Sequence, residues 1–318
     1  MTEKQSENIR LIQAQAQQKA QLLIEMLPWI KLAYGKTIVI KYGGAAMTDP
    51  ALRRAVMQDI ILLKLVGLNP IIVHGGGKDI NRLCEALGLP VEFENGFRVT
   101  PPEVMEVVKM TLIGKVNQEL VSELNQHGQI AVGLNGADGQ TVQAEQFDPA
   151  MGAVGRVTAI DTTLLVDLIE HDYIPVIASV ATGAKGEAYN VNADVVAGEV
   201  ATAIGAHKAV FLTDVDGLYR DFNDKSSLID RITVSELEAL LAAGNIATGM
   251  IPKIESCIKV VKAGVGRAHI LNGTLEHSML LELFTDLGVG TMVMPDDGGA
   301  AEARFDNYPI DGFAEKLQ

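Results

Sequence analysis

The chain predicts an α/β fold: a three-layer αβα arrangement around a mostly parallel central sheet, preceded by an N-terminal helix. Three observations carry this. From Lys36 onward, short β-branched runs alternate with segments of helical periodicity. Two early runs, Lys41-Tyr42-Gly43-Gly44 and His74-Gly75-Gly76-Gly77, end in glycine turns that lead into a helix. The first thirty residues, by contrast, contain no glycine and are rich in Gln, Ala, Lys and Glu.

In residues 1–30, Ile9, Ile12, Ala16, Leu23 and Met26 share a helical face at heptad spacing, interrupted by Lys19. Pro28 is expected to end or kink this helix. Such a face packs either on its own domain or on another subunit. Expected strands are Thr37–Tyr42, Pro70–His74, Ile130–Leu134, Arg156–Ile160, Ile174–Ala178, Ala209–Thr213 and Ala268–Leu271. The helices between them are Ala51–Val66, Asp79–Leu87 (stopped by Gly88 and Pro90), Pro102–Ile113, Lys115–His127, Thr162–Glu170, Ala193–Gly205, Val234–Ala243 and Pro252–Gly264. A boundary near residue 180 divides a first lobe, 31–180, from a second, 181–294. Residues 295–318 carry Gly, Asp, Glu and Ala without periodicity and read as a flexible tail.

Composition narrows the function classes. Of 318 residues, 26 are Lys or Arg and 40 are Asp or Glu, a net charge of −14, which disfavours nucleic acid and anionic membranes as partners. Aromatics are 5% of the chain, too sparse for a stacking platform. No apolar run is long enough to span a bilayer. The polar N-terminus has no signal-peptide core, so the expected location is cytoplasmic. The two cysteines, Cys84 and Cys257, have neither zinc-site nor disulfide spacing.

A strand that runs into glycines and then a helix presents several backbone N–H groups at one point, next to the positive end of the helix dipole. Two such turns in one parallel sheet place both at the carboxyl ends of strands, where ligands bind in open α/β folds. Lys41 stands at the mouth of the first. Neither turn is G-x-G-x-x-G. Gly35-Lys36-Thr37 lacks the upstream glycine of a P-loop, since that position is Ile30, and it precedes its strand. A dinucleotide-dependent oxidoreductase and a P-loop NTPase are therefore disfavoured.

Lys41-Tyr42-Gly43-Gly44-Ala45-Ala46-Met47, Val73-His74-Gly75-Gly76-Gly77, Asn95-Gly96-Phe97-Arg98-Val99-Thr100, Asn190-Val191-Asn192-Ala193-Asp194 and Gly249-Met250-Ile251-Pro252-Lys253 follow one another along the chain. Together they closely resemble the N-acetylglutamate kinases, members of the amino-acid kinase fold family, over residues from about 5 to 294. The resemblance implies transfer of the γ-phosphoryl group of ATP, taken with Mg²⁺, to the side-chain carboxylate of N-acetyl-L-glutamate. It assigns catalysis to Lys41, Lys253 and Asp194, the acid holding both lysines. It assigns the substrate to Gly76, Gly77, Arg98 and Asn190, with Arg98 suited to a bidentate grip on a carboxylate. Gly43, Gly44, Thr213 and Asp214 fall to ATP, and no residue to a protein-bound metal. A carboxylate nucleophile is already ionised at neutral pH, so no general base is needed. Read alone, Lys41 is a solvated lysine at a strand end, Lys253 a surface helix lysine and Asp194 a helix-start acid. Arg98 is then half of a surface ion pair, Asn190 a turn residue, and Asp214 and Asp216 turn formers before Gly217.

The run His269-Ile270-Leu271-Asn272-Gly273, continued through Leu281–Asp286 to Gly288-Val289-Gly290-Thr291-Met292, is similar to the C-terminal signature of the arginine-inhibited members. That similarity, with the N-terminal helix, implies a homo-oligomer, a hexamer linked through those helices. It also implies inhibition by arginine bound at His269, Glu282, Gly288 and Lys208. The nearest alternative is a kinase of the same fold acting on N-acetyl-aminoadipate or its carrier-protein conjugate; a glutamate or aspartate kinase fits the Asn95–Thr100 run less well. A non-catalytic arginine sensor is a further class, and the joint presence of Lys41, Asp194 and Lys253 argues against it.

Overall fold

The computed structural model describes residues 3–94, 96–221, 224–244, 246, 250–285 and 288–297, with side chains described from Ile12 onward. The expected tail therefore lies outside the described residues beyond Asp297.

In chain order the elements are α1 (Glu3–Ala33), β1 (Thr37–Tyr42), α2 (Pro50–Leu65), β2 (Asn69–His74), α3 (Gly77–Ala86), β3 (Phe93–Glu94), β4 (Phe97–Arg98), α4 (Pro102–Lys109) and α5 (Gln118–Leu124). Then come β5 (Ala131–Leu134), β6 (Val142–Gln146), β7 (Gly155–Ile160), α6 (Thr163–Glu170), β8 (Ile174–Ala178), β9 (Val180–Thr182), β10 (Ala188–Asn190) and α7 (Ala193–Ala203). The last are β11 (Lys208–Thr213), β12 (Arg231–Thr233), α8 (Val234–Ala242), α9 (Ile251–Lys262), β13 (Arg267–Asn272), α10 (Ser278–Phe284) and β14 (Thr291–Met294).

One eight-stranded sheet runs β12-β14-β13-β11-β1-β2-β8-β5. It is parallel throughout except where β14 runs antiparallel to β13. The alternation of β1 explains the layers. Val39 joins an apolar cluster with α7, α8 and α9, whereas Ile38, Ile40 and Tyr42 face α2, α5 and α10 on the other side. Both faces are covered, as a parallel sheet requires. β1 is paired with β2 on one side and β11 on the other, so the chain reverses direction of travel at β1 and leaves a crevice there. A four-stranded sheet, β10-β9-β6-β7, sits apart from the main one.

Local chemistry sets the helix starts that matter for the site. Asp49 accepts from Ala51 N and Leu52 N and caps α2, with Pro50 in the first turn. Asn192 accepts from Asp194 N at 2.8 Å and caps α7.

Three expectations are corrected. Helix α1 passes through Pro28 to Ala33. The proline ring fits helical φ and removes one hydrogen bond, to the carbonyl of Ile24 on an exposed turn. Beyond it Trp29, Ile30 and Ala33 pack on the core and hold the last turns. The two helices expected over 102–127 form one helical run, in which a π-helical segment, Met110–Asn117, joins α4 to α5 and carries Gly114 without a break. Arg156–Ile160 lies in the small sheet, antiparallel to β6, and its half-exposed residues suit a sheet with one wet face. In addition, β3 and β4 pair antiparallel, two strands too short to be expected from periodicity. No described helix is long and apolar enough to cross a membrane.

Candidate active site

The carboxyl ends of β1 and β2 sit side by side: Gly75 N donates to Tyr42 O at 3.2 Å, bringing the two glycine turns together. They border a cavity of about 240 Å³, also lined by Lys41, Phe93, Arg98, Asn190 and Asp194. The sheet, the β3–β4 hairpin and the start of α7 thus deliver residues far apart in sequence to one space.

Lys41 and Lys253 meet at Asp194. Lys253 Nζ donates to Asp194 Oδ1 at 2.6 Å, and Lys41 Nζ lies 3.4 Å from the same oxygen. Lys253 comes from α9 and is only 5% exposed. Burial lowers the pKa of Lys41, Asp194 raises it and Lys253 lowers it further; the net effect is a lowered value. Burial pushes the Asp194 carboxyl up, but the two lysines outweigh it and hold it below the ordinary carboxylate range. Two ammonium groups in a crevice are tolerable only because this carboxylate lies between them.

Arg98 is 7% exposed. Its Nη2 donates to Gly77 O at 3.1 Å and to Asn81 Oδ1 at 2.5 Å, its guanidinium lies 4.7 Å from the Phe93 ring centre, and its Nη1 is buried without a partner. An end-on bidentate grip needs a proton from each Nη, and both protons of Nη2 are engaged, so the expected fork is closed in this arrangement. Asn190 Nδ2 donates to Thr100 Oγ1 at 3.1 Å, and Thr100 donates in turn to Arg98 O at 2.7 Å.

The glycines are shaped by their neighbours. A Cβ on Gly76 would meet Leu112 Cδ2 at 2.7 Å, so the π-helical segment presses against this turn. Gly77 opens α3, and first-turn N–H groups have no acceptor within their helix. Gly44 has φ +77, and a Cβ there would land on Asp214 Oδ1. Ala45 N donates to that same oxygen at 2.6 Å. Asp214 therefore braces the first glycine turn, and neither it nor Thr213, at the end of β11, lines the cavity.

His269, Glu282, Gly288 and Lys208 gather elsewhere. Lys208 starts β11 beside Arg267 at the start of β13, at the opposite end of these strands from Thr213. His269 Nδ1 and Glu282 Oε1 are 2.8 Å apart, Val289 N donates to Glu282 Oε2 at 3.0 Å, and Gly288 lies against Asp230. Burial lowers the His269 pKa, and its Nε2 is buried without a partner. A crevice of about 20 Å³ between α1 and α10, lined by Trp29, Lys208 and Phe284 among others, adjoins this group.

Sequence reasoning assigned no role to Asn81 or Thr100. Asn81 lies one helical turn after Gly77, and Thr100 two residues after Arg98, so helix and strand spacing place each beside a residue already singled out.

A family model described as the amino acid kinase family matches residues 36–272. The acetylglutamate kinase of Thermoanaerobacter pseudethanolicus is 51% identical over 277 residues, covering 86% of this chain and 93% of that one. This chain belongs to the amino acid kinase family. The acetylglutamate kinase of Syntrophomonas wolfei subsp. wolfei is 50% identical over 281 residues, covering 88% of this chain and 98% of that one. Among solved structures, the N-acetylglutamate synthase from Neisseria gonorrhoeae complexed with coenzyme A and N-acetyl-glutamate shares the fold. Its TM-score is 0.78 at 25% identity, covering 87% of this chain and 63% of that chain.

Proposed function

We propose that this member of the family transfers the γ-phosphoryl group of ATP to the side-chain carboxylate of N-acetyl-L-glutamate, giving N-acetyl-L-glutamyl 5-phosphate and ADP in arginine biosynthesis. One observation carries the reading. The cavity has two cationic poles, Lys41 and Arg98, and the sole carboxylate among its described lining residues, Asp194, is already bonded to lysine. A free amino acid would bring an ammonium group with no uncommitted carboxylate to pair with among the described lining residues, and a buried charge without a counter-ion is costly. An N-acylated dicarboxylate brings two anions and a neutral amide. The acetylglutamate kinases about half identical to this chain support the same choice.

In the reaction, a carboxylate oxygen forms a bond to the γ-phosphorus as the bond from that phosphorus to the β–γ bridging oxygen breaks, and ADP leaves with the electron pair. The carboxylate is ionised at neutral pH, so the difficulty is repulsion between anions, met by fixed positive groups. Gly76 and Gly77 at the start of α3 hold the reacting carboxylate, and Gly43 and Gly44 the γ-phosphoryl group. Lys41 and Lys253 neutralise charge on the transferring group and the leaving oxygen, with Asp194 fixing both. Arg98 and Asn190 hold the far end of the acceptor. Thr213 and Asp214 serve the nucleotide side, Asp214 by bracing the Gly44 turn. The nucleotide would enter as its magnesium chelate, with the ion carried largely by the phosphates. Residues 31–180 supply the acceptor lobe and 181–294 the nucleotide lobe, in a cytoplasmic enzyme.

Feedback by arginine is a second reading, favoured by the buried His269–Glu282 pair, whose Nε2 has no partner, and by the crevice of Lys208 against α1. The neighbouring crevice is too small for an arginine side chain, so binding must widen it, and arginine then selects a different state from the one described. The exposed Ile12, Leu22 and Leu23 of α1 suit pairing with a second copy and assembly into a hexamer. Deleting residues 1–26 is expected to reduce assembly size and abolish the arginine response; retention of both refutes this reading.

The test of the main reading is ADP release from Mg-ATP with N-acetylglutamate, glutamate or N-acetyl-aminoadipate, each with and without arginine. Turnover confined to N-acetylglutamate is the expected result. Turnover with free glutamate, or with none of the three, sinks it.

A further inference from the structure

Arg98 is held so that only part of its guanidinium faces an incoming ligand, and the holding group is Asn81. Nη2 carries two protons; one goes to Gly77 O at 3.1 Å and the other to Asn81 Oδ1 at 2.5 Å. The ring of Phe93 covers one face, 4.7 Å away. Nη1 is buried, without a partner, in a residue that lines the cavity. A buried donor left unsatisfied costs free energy that a ligand oxygen can recover. Gly77 O is a backbone group fixed by α3. Asn81 is therefore the side chain that decides which nitrogen is occupied and which is free.

We infer that Asn81 is a positioning residue for substrate recognition: by occupying Nη2 it turns Nη1 of Arg98 toward the acceptor and restricts the contact to a single nitrogen. This rests on the reading that Arg98 meets a carboxylate of N-acetylglutamate. It also explains why an asparagine suits the position. A neutral acceptor orients the guanidinium yet leaves its full charge to the substrate, whereas an aspartate would form an ion pair with Arg98 and weaken its pull on a second anion. Thr100 completes the arrangement, since its hydroxyl donates to Arg98 O and accepts from Asn190 Nδ2, leaving the Asn190 carbonyl oxygen available to an amide N–H.

The experiment is steady-state kinetics on the full chain with Mg-ATP and N-acetylglutamate. Asn81→Ala and the near-isosteric Asn81→Leu are expected to raise KM for N-acetylglutamate by about tenfold, the scale of one charge-assisted hydrogen bond. KM for ATP and thermal midpoint stay unchanged, and kcat stays within about threefold. In an Arg98→Ala background, Asn81→Ala should add nothing further, because it acts through Arg98. If Arg98→Ala raises KM strongly while Asn81→Ala leaves it alone, or if the two effects multiply, the assignment of Asn81 is overturned and Arg98 keeps its role. If Arg98→Ala leaves KM for N-acetylglutamate unchanged, the reading of the site itself fails, and the inference with it.

Discussion

Lys253 Nζ donates to Asp194 Oδ1 across 2.6 Å, joining the first turn of α9 to the first turn of α7 at the edge of the cavity. The same oxygen is 3.4 Å from Lys41, so one carboxylate steadies two buried ammonium groups. Asp194→Asn keeps the shape and removes the charge. We expect kcat to fall about a hundredfold, the scale seen when one fixed electrostatic partner is lost from a site of this kind. A second effect is more specific. Burial and Lys253 already lower the pKa of Lys41, and Asp194 opposes them. A charged Lys41 is required, so activity is lost as pH rises through its pKa. Without the carboxylate, that alkaline limb must move to lower pH. Profiles of kcat against pH for the two proteins check this; coincident alkaline limbs would remove Lys41 from the mechanism.

Gly44 cannot carry a side chain. Its φ of +77 strains any L-residue by roughly 1–2 kcal/mol. A Cβ would also land on Asp214 Oδ1, the oxygen that takes the proton of Ala45 N at 2.6 Å. Gly44→Ala must therefore displace Asp214 or twist the turn. We expect kcat/KM for ATP to fall on the order of a hundredfold, as misplacement near an ångström does, with little change in KM for N-acetylglutamate. Asp214→Asn keeps the acceptor and should lose far less. Equal losses in the two variants would show that the charge of Asp214, and not the brace, is what matters.

Most of this architecture is legible in the chain, and the gaps have physical causes. β1, β2, β8, β11 and β13 are short, mainly apolar runs buried on both faces, the pattern of central parallel strands, and they were readable to within a residue or two. The shortest strands were not. β12 and β9 are three residues each, too short to show a period, and β14 is four. Gly114 reads as a helix break, yet the π-helical turn absorbs it, because tertiary packing of Leu112 and Val116 against the Gly76 turn outweighs its weak propensity. Within the site, charged residues in distinctive runs could be nominated from sequence. For Asn81 and Thr100 the spacing shows proximity but not role, since the bond of Asn81 to Arg98 exists only once α3 meets the β3–β4 hairpin, and that of Asn190 to Thr100 only once β10 meets the segment after β4.

His74 ends β2 beside the second glycine turn and is fully buried. Asn117 Nδ2 lies 3.0 Å from its Nε2, and its Nδ1 lies 3.0 Å from Gly75 O. The asparagine donates to Nε2, so Nδ1 carries the proton and donates to the carbonyl; this tautomer is neutral and fully satisfied. Burial pushes its pKa down to about 4, from 6.5. The unfolded chain therefore binds a proton that the native state refuses, and stability is lost as pH falls from about 6.5 toward 4. The contribution is at most about 3 kcal/mol. His74→Asn should lower the thermal midpoint at pH 7 but flatten its decline between pH 6.5 and 4.5. An equally steep decline in the variant would mean that other groups set the acid limit.

Asp59 works in the opposite sense. It is a carboxylate of α2, 1% exposed, and its Oδ1 lies 2.5 Å from Nδ1 of His277, which caps α10 in the left-handed conformation. Burial raises its pKa from 3.8 to about 6, with the His277 hydrogen bond limiting the rise. The native state now holds a proton that the unfolded chain releases, so stability grows as pH falls from about 6 toward 4, and the ionised carboxylate costs at most about 3 kcal/mol above pH 6. Asp59→Asn keeps an oxygen acceptor for His277 and cannot ionise. It should raise the thermal midpoint at pH 7.5, with the gain shrinking steadily toward pH 4.5. Because His74 and Asp59 titrate in the same window with opposite signs, the wild-type curve there is a small difference between two larger effects. The paired variants must diverge, His74→Asn flattening the acid decline and Asp59→Asn steepening it. A difference between Asp59→Asn and wild type that stays constant from pH 7.5 to 4.5 would mean that Asp59 is not the ionised, buried carboxylate described.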